Sequence, residues 1–182
     1  SKKRGFYNKL GLTISTSYLV LTFLFKWISY HQFEKALETQ KINYLQLDTR
    51  PSPLNTVLWS ANVETEDAYL LGNYSFFDTK PIQFESYSKN HELLGNLIKN
   101  ESVQLMISIS EGWYTITQRD GNLYFNDLRF GLLSLAPNTQ NFVFQYLLEV
   151  TDDNQVNFIE VEKDRQDGKK LLSELWLRVK GN

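Results

Sequence analysis

Leu10-Gly11-Leu12-Thr13-Ile14-Ser15-Thr16-Ser17-Tyr18-Leu19-Val20-Leu21-Thr22-Phe23-Leu24-Phe25 is a run of sixteen residues without a charge. Lys2, Lys3, Arg4 and Lys9 precede it, with no acid among residues 1–9, and Lys26, Trp27 and Tyr30 follow it. A basic patch, an uncharged apolar run and an aromatic rim form the pattern of a membrane-anchoring helix. At a rise of about 1.5 Å per residue the run spans roughly 24 Å, against a hydrocarbon layer about 30 Å thick. Lys26, whose ammonium can snorkel, together with Trp27 and Ile28 extends it to nineteen residues.

Two other readings compete with the anchor. A signal peptide needs small residues ahead of a cleavage site, and Ser29-Tyr30-His31-Gln32-Phe33 offers no such site. A buried core helix would accommodate Thr13, Ser15, Thr16, Ser17 and Thr22. The anchor is the favoured reading. With the basic flank cytoplasmic by the positive-inside rule, residues 42–182 are expected outside the cytoplasm. Ser29 to Gln40 reads as a helical continuation with Phe33, Ala36 and Leu37 on one face. The expected organisation is therefore residues 1–41 as basic flank, anchor and connecting helix, and 42–182 as a soluble domain.

Composition narrows the function of that domain. The chain has 182 residues and a net charge of −2, so removing the +4 of residues 1–9 leaves −6 on the remainder. An acidic body argues against a nucleic-acid partner, since phosphate neutralisation needs clustered Lys and Arg. Cysteine is absent, which removes disulfides, zinc–thiolate sites and thiol catalysis. An aromatic content of 14% suits a large, well-filled core.

Beyond Ile42 the pattern changes to strands. Residues 56–63 and 68–76 are rich in β-branched and aromatic types and flank an acidic loop at 64–67. Ile82 to Tyr87 alternates behind Pro81. Helices are expected at about 91–99 and 103–109. Residues 113–118 and 122–128 form the clearest hairpin, turned by Asp120-Gly121. A second hairpin pairs 142–150 with 156–161, and 169–179 reads as a helix with Leu172, Leu175, Trp176 and Val179 inward. Hairpins with a few helices define an α+β class with a long N-terminal helix and a mainly antiparallel sheet. No internal repeat is visible.

Two stretches, Thr49-Arg50-Pro51-Ser52-Pro53-Leu54-Asn55-Thr56-Val57-Leu58-Trp59 and Gly121-Asn122-Leu123-Tyr124-Phe125-Asn126-Asp127-Leu128-Arg129-Phe130-Gly131, carry a further signal together. A P-x-P-L-N-x-x-L-W stretch followed by a G-x-L-x-F-x-D-L-R-F-G hairpin resembles the C-terminal half of the membrane-bound metal-dependent hydrolase family. That family is also described as LexA-binding, inner membrane-associated hydrolases. The resemblance runs over residues 5 to 150, including Gly72-Asn73-Tyr74-Ser75 and Gly112-Trp113-Tyr114. It implies a bacterial inner-membrane protein that uses a divalent metal. The family's ligands are His and Asp in N-terminal membrane helices, and no such positions exist here. The resemblance therefore implies that residues 1–182, opening on Ser1, are the tail of a larger multispanning protein. That missing membrane half and the membrane are its implied partners, and no catalytic residue or metal ligand carries over.

The residues themselves offer a few candidates. Asp127 and Arg129 stand two apart on a strand and share a face. Beside Trp113 and Tyr114 they could grip a polar ligand or partner, or simply hold the strand end before Gly131. His31 and Glu34 have a spacing that suits two metal ligands on a helix, but no third is evident. His91 and Glu92 open a helix, where Glu92 suits the positive end of the dipole. Asp152-Asp153-Asn154 lacks the Gly and distal Glu of an EF-hand and reads as a hairpin tip. Pro51, Pro53 and Asn55 set an extended entry and a turn.

Overall fold

A computed structural model describes residues 2–133, 139–151, 155–162 and 168–182. Helix α1 (Lys2–Thr39) is followed by strands β1 (Gln46–Pro51), β2 (Leu58–Glu64), β3 (Ala68–Ser75) and β4 (Phe84–Ser88). A 3-10 segment (His91–Lys99) and α2 (Glu101–Ile109) lead to β5 (Tyr114–Arg119), β6 (Asn122–Leu132), β7 (Phe142–Val150) and β8 (Val156–Glu160). Helix α3 (Gly168–Val179) follows. The strands form two four-stranded antiparallel meanders, β1-β2-β3-β4 and β5-β6-β7-β8. The class is α+β.

Helix α1 is one continuous rod with two different surfaces. Residues 3–21 are exposed all round, whereas Ser29, Phe33 and Leu37 are fully buried at four-residue spacing. Phe33 and Leu37 pack against Trp59, Ala61 and Val63 of β2 and Leu70 of β3. The rod stops in a Schellman turn. Lys41 takes φ 56°, its N–H reaches the Glu38 carbonyl at 3.0 Å, and Ile42 N–H reaches the Leu37 carbonyl at 3.0 Å. Ile42 then packs into the same core. The folded unit therefore begins inside α1, upstream of the compositional change at residue 42.

The second half repeats this plan. Helix α2 also ends in a Schellman turn, with Glu111 at φ 55° and Gly112 N–H on the Ile107 carbonyl at 3.1 Å. Leu94 and Val103 cover Tyr114, Ile116, Phe125, Leu148 and Val156 of the second sheet. Tyr69, Trp113, Leu128 and Phe142 form a third cluster, joining the two sheets. No sequence repeat accompanies this shared plan, because each sheet needs only an apolar face and a helix to cover it.

Several local expectations are met and others revised. Asp120 and Gly121 have φ 50° and 80°, as a two-residue type I′ hairpin requires. The helix expected at 91–99 is instead 3-10, because Gly95 at φ 47°, ψ −123° interrupts it. Asn100 caps the next helix: its side chain accepts from Ser102 N–H, so α2 starts at Glu101 rather than at 103. In α3, Val179 is buried and Leu175 half-buried, but Leu172 and Trp176 are exposed. The calcium-loop candidate Asp152-Asp153-Asn154 lies outside the described residues.

Candidate functional site

The face of the first sheet turned away from α1 is polar. Strand alternation and register place Arg50, Ser60 and Asn73 in one cross-strand row, and Asp48, Asn62, Leu71 and Glu85 in the next. Arg50 Nε donates to Asp48 Oδ2 at 2.7 Å, and Arg50 Nη1 donates to the Arg129 carbonyl at 2.6 Å. Asn62, buried between Ala61 and Val63 of β2, donates to the Leu128 carbonyl at 2.9 Å. Ser60 Oγ donates to Asn73 Oδ1 at 3.1 Å.

Those two carbonyls are available because β6 bulges. Asp127 pairs with Phe144 and Leu132 with Phe142, so residues 128–131 face Val143 alone. Such a bulge removes backbone groups from the ladder and bends the strand, and Gly131 accommodates the bend at φ 68°. The two stretches that carry the family resemblance thus meet in space. Arg50 belongs to the first, Leu128 and Arg129 to the second.

Asp127 and Arg129 face each other rather than open solvent. Arg129 Nε and Nη2 donate to Asp127 Oδ1 and Oδ2 at 3.1 and 2.7 Å, and Arg129 N–H donates to Oδ1 at 3.0 Å. The Asp127 carboxylate holds the Arg129 guanidinium even more firmly protonated than usual. Trp113 and Tyr114 are both buried, on opposite sides of the second sheet. Trp113 lies in the joint between sheets. Tyr114 stacks between His91 and Phe125, with ring centroids 4.0 and 4.7 Å apart. His91 Nε2 bonds the Tyr114 carbonyl at 2.9 Å, so this nitrogen carries the proton. Burial lowers the His91 pKa.

Beside the polar row lies a cleft of about 640 Å³, bounded by the first sheet, the end of β6 and α3. Its polar lining includes Ser60, Asn62, Asn73 and Glu85; its apolar lining includes Leu71, Leu132, Leu171 and Leu175. Arg178 closes one side. It bonds both oxygens of Asp78 at 2.5 and 2.7 Å and the Asn73 carbonyl at 2.9 Å. The amide donors of Asn73, and the Ser60 oxygen as an acceptor, make the cleft suitable for a ligand that combines a hydrogen-bonding group with an apolar body.

The membrane-interface residues lie along α1. Lys3, Arg4, Lys9, Lys26 and Trp27 are exposed and Tyr30 is half-buried; Lys2 is the helix's first residue. His31 Nδ1 and Glu34 Oε2 pair at 3.0 Å. Among the described residues no three His, Asp or Glu side chains gather to hold a metal ion. Sequence reasoning passed over Arg50, Asn62, Asn73 and Arg178. Asn62 had a signal, since a polar residue within Trp59-Ser60-Ala61-Asn62-Val63 needs a partner if buried.

Compared with family models, curated proteins and solved structures, the chain matches none.

Proposed function

We propose that this chain is a membrane-anchored binding module, the C-terminal extracytoplasmic part of a metal-dependent hydrolase of the bacterial inner membrane. In this reading residues 42–182 bind or scaffold, and the divalent metal and its ligands belong to the membrane half of the parent protein. One observation carries the anchor. Helix α1 is long and apolar enough to cross a membrane, and its apolar run is exposed while its second half is built into the core. Apolar surface of that extent on a single helix is left in contact with water only at a large free-energy cost. The family part of the reading rests on the resemblance of the two sequence stretches alone. The cleft supports binding as the role of the module.

The test compares residues 1–182 with a truncation beginning at Ile28, which keeps Ser29, Phe33 and Leu37. The long form should need detergent, and the short form should be soluble with a cooperative melt. A long form soluble without detergent overturns the anchor. The hydrolase reading is tested on the parent protein, by metal analysis and by phosphatase, esterase and lipid-hydrolase assays; a metal-free, inactive parent overturns it.

A further inference from the structure

The uncharged run of α1 ends at Phe25, and Phe25 already touches the domain: its ring lies 5.0 Å from that of Phe76. If residues 10–25 occupy hydrocarbon, the loop after β3 lies at the bilayer surface. The next residue, Phe77, is 61% exposed. Phe76 N–H bonds the Val57 carbonyl at 3.2 Å, which brings the β1–β2 turn to the same place. In that turn Asn55 N–H points back to the Ser52 carbonyl at 3.4 Å, with Pro53 and Leu54 between them. Leu54 has φ 64°, at the position of a Pro-led turn where Gly or Asn is normally required. It is also 90% exposed. A branched apolar side chain thus stands in strained backbone and projects into water.

Helix α3 reaches the same loop. Ser75 Oγ donates to the Val179 carbonyl at 2.5 Å, and Arg178 clamps Asp78. One turn earlier Trp176 is 61% exposed, with Lys180 Nζ 5.8 Å from its ring. An exposed Trp beside a Lys is the pairing that favours the interface between headgroups and acyl chains. The nearby acid Asp78 is neutralised by Arg178, so it adds little repulsion toward a lipid surface.

We infer that Leu54, Phe77 and Trp176 form a second membrane contact, seating the domain on the bilayer that α1 enters. This inference rests on the anchor reading above and assigns the occupant of the surface as lipid. The covalent tether supports that choice, because Phe25 and Phe76 set the depth of the loop relative to the apolar run. A surface held beside the bilayer by α1 needs little affinity of its own, since the tether makes the contact intramolecular.

The absence of cysteine allows a clean test. Single variants Leu54→Cys, Phe77→Cys and Trp176→Cys of the full chain, labelled with an environment-sensitive fluorophore, are reconstituted into vesicles containing shallow spin-labelled lipid. Leu19→Cys reports on the anchor, and Asn157→Cys on the far sheet serves as the exposed control. The inference expects blue-shifted, quenched emission at positions 54, 77 and 176 and none at 157. Quenching at 19 with water-like emission at 54, 77 and 176 overturns the second contact and leaves the anchor standing. Water-like emission at 19 overturns the anchor and the second contact together.

Discussion

Arg50 donates from Nη1 to the main-chain carbonyl of Arg129 at 2.6 Å, joining the first sheet to the bulged strand of the second. Asp48 orients the same guanidinium at 2.7 Å, and Asn62 takes the neighbouring Leu128 carbonyl. Beside the apolar cluster that joins the sheets, this polar part of the joint is made by side chains of one sheet and backbone of the other. It therefore depends on the bulge in β6 as much as on the identity of Arg50.

Asn62→Leu should destabilise the domain by about 1–3 kcal/mol, because it takes the side-chain donor from the Leu128 carbonyl at a buried position. Arg50→Lys should cost about 1 kcal/mol, less because Arg50 is partly solvated and a Lys keeps charge but loses the fork geometry. Urea denaturation of the truncation beginning at Ile28 measures both. Equal stability of Asn62→Leu and the parent would show that the joint is not formed.

Phe33→Ala and Phe23→Ala lie ten residues apart on one helix and should behave oppositely. Phe33 is fully buried, and its loss should cost about 3–5 kcal/mol. Phe23 is 63% exposed, and its loss should leave the melting temperature in detergent unchanged while weakening retention in vesicles. Thermal melts and vesicle flotation of the full chain separate the two effects.

His91 gives the fold a pH dependence. Its pKa in the folded state lies below the ordinary value of 6.5, chiefly through burial. The folded state thus binds fewer protons than the unfolded one near and below that value, and stability rises with pH there. The contribution is complete above about pH 7 and is lost as the pH falls through 6.5 toward the lowered folded value. Chemical denaturation at intervals from pH 7.5 to 5.5, at about constant ionic strength, should show this loss. His91→Phe, which can keep the stack on Tyr114, should reduce the slope over that window.

Leu54→Gly should raise the stability of the domain in solution, by up to about 1 kcal/mol, since it relieves a left-handed residue without removing packing. The same change removes the most exposed large apolar side chain among the described residues and should lessen lipid quenching of a label at Phe77→Cys in the full chain reconstituted into vesicles. A variant that melts lower than its parent would mean that Leu54 has folded-state contacts.

Much of the fold was legible locally. The I′ hairpin at Asp120-Gly121 and the shared face of Phe33 and Leu37 follow from turn chemistry and periodicity. Where local signals compete they mislead. Gly95 converts an amphipathic helix pattern into broken 3-10 turns, and the apolar face of α3 leaves Leu172 and Trp176 outside. The pair Asp127 and Arg129 was legible as neighbours on one strand face; their mutual engagement needed the bulge. Arg50, Asn62 and Arg178 gave weaker signals, because the groups they bond on other elements lie 66 to 105 positions away in the chain.

The sequence by itself determined a long helix with an apolar, uncharged run at residues 10–25 behind a basic flank, and an antiparallel α+β body, since periodicity, charge and turn residues are properties of neighbours along the chain. Only the tertiary structure decided that α1 is shared between that exposed run and the core, that Arg50 and Asn62 reach from one sheet to the other, and that the β1–β2 turn and the end of α3 both meet the loop after β3. These outcomes depend on which surfaces meet. Long-range packing and hydrogen bonding set that choice, and local pattern does not encode it.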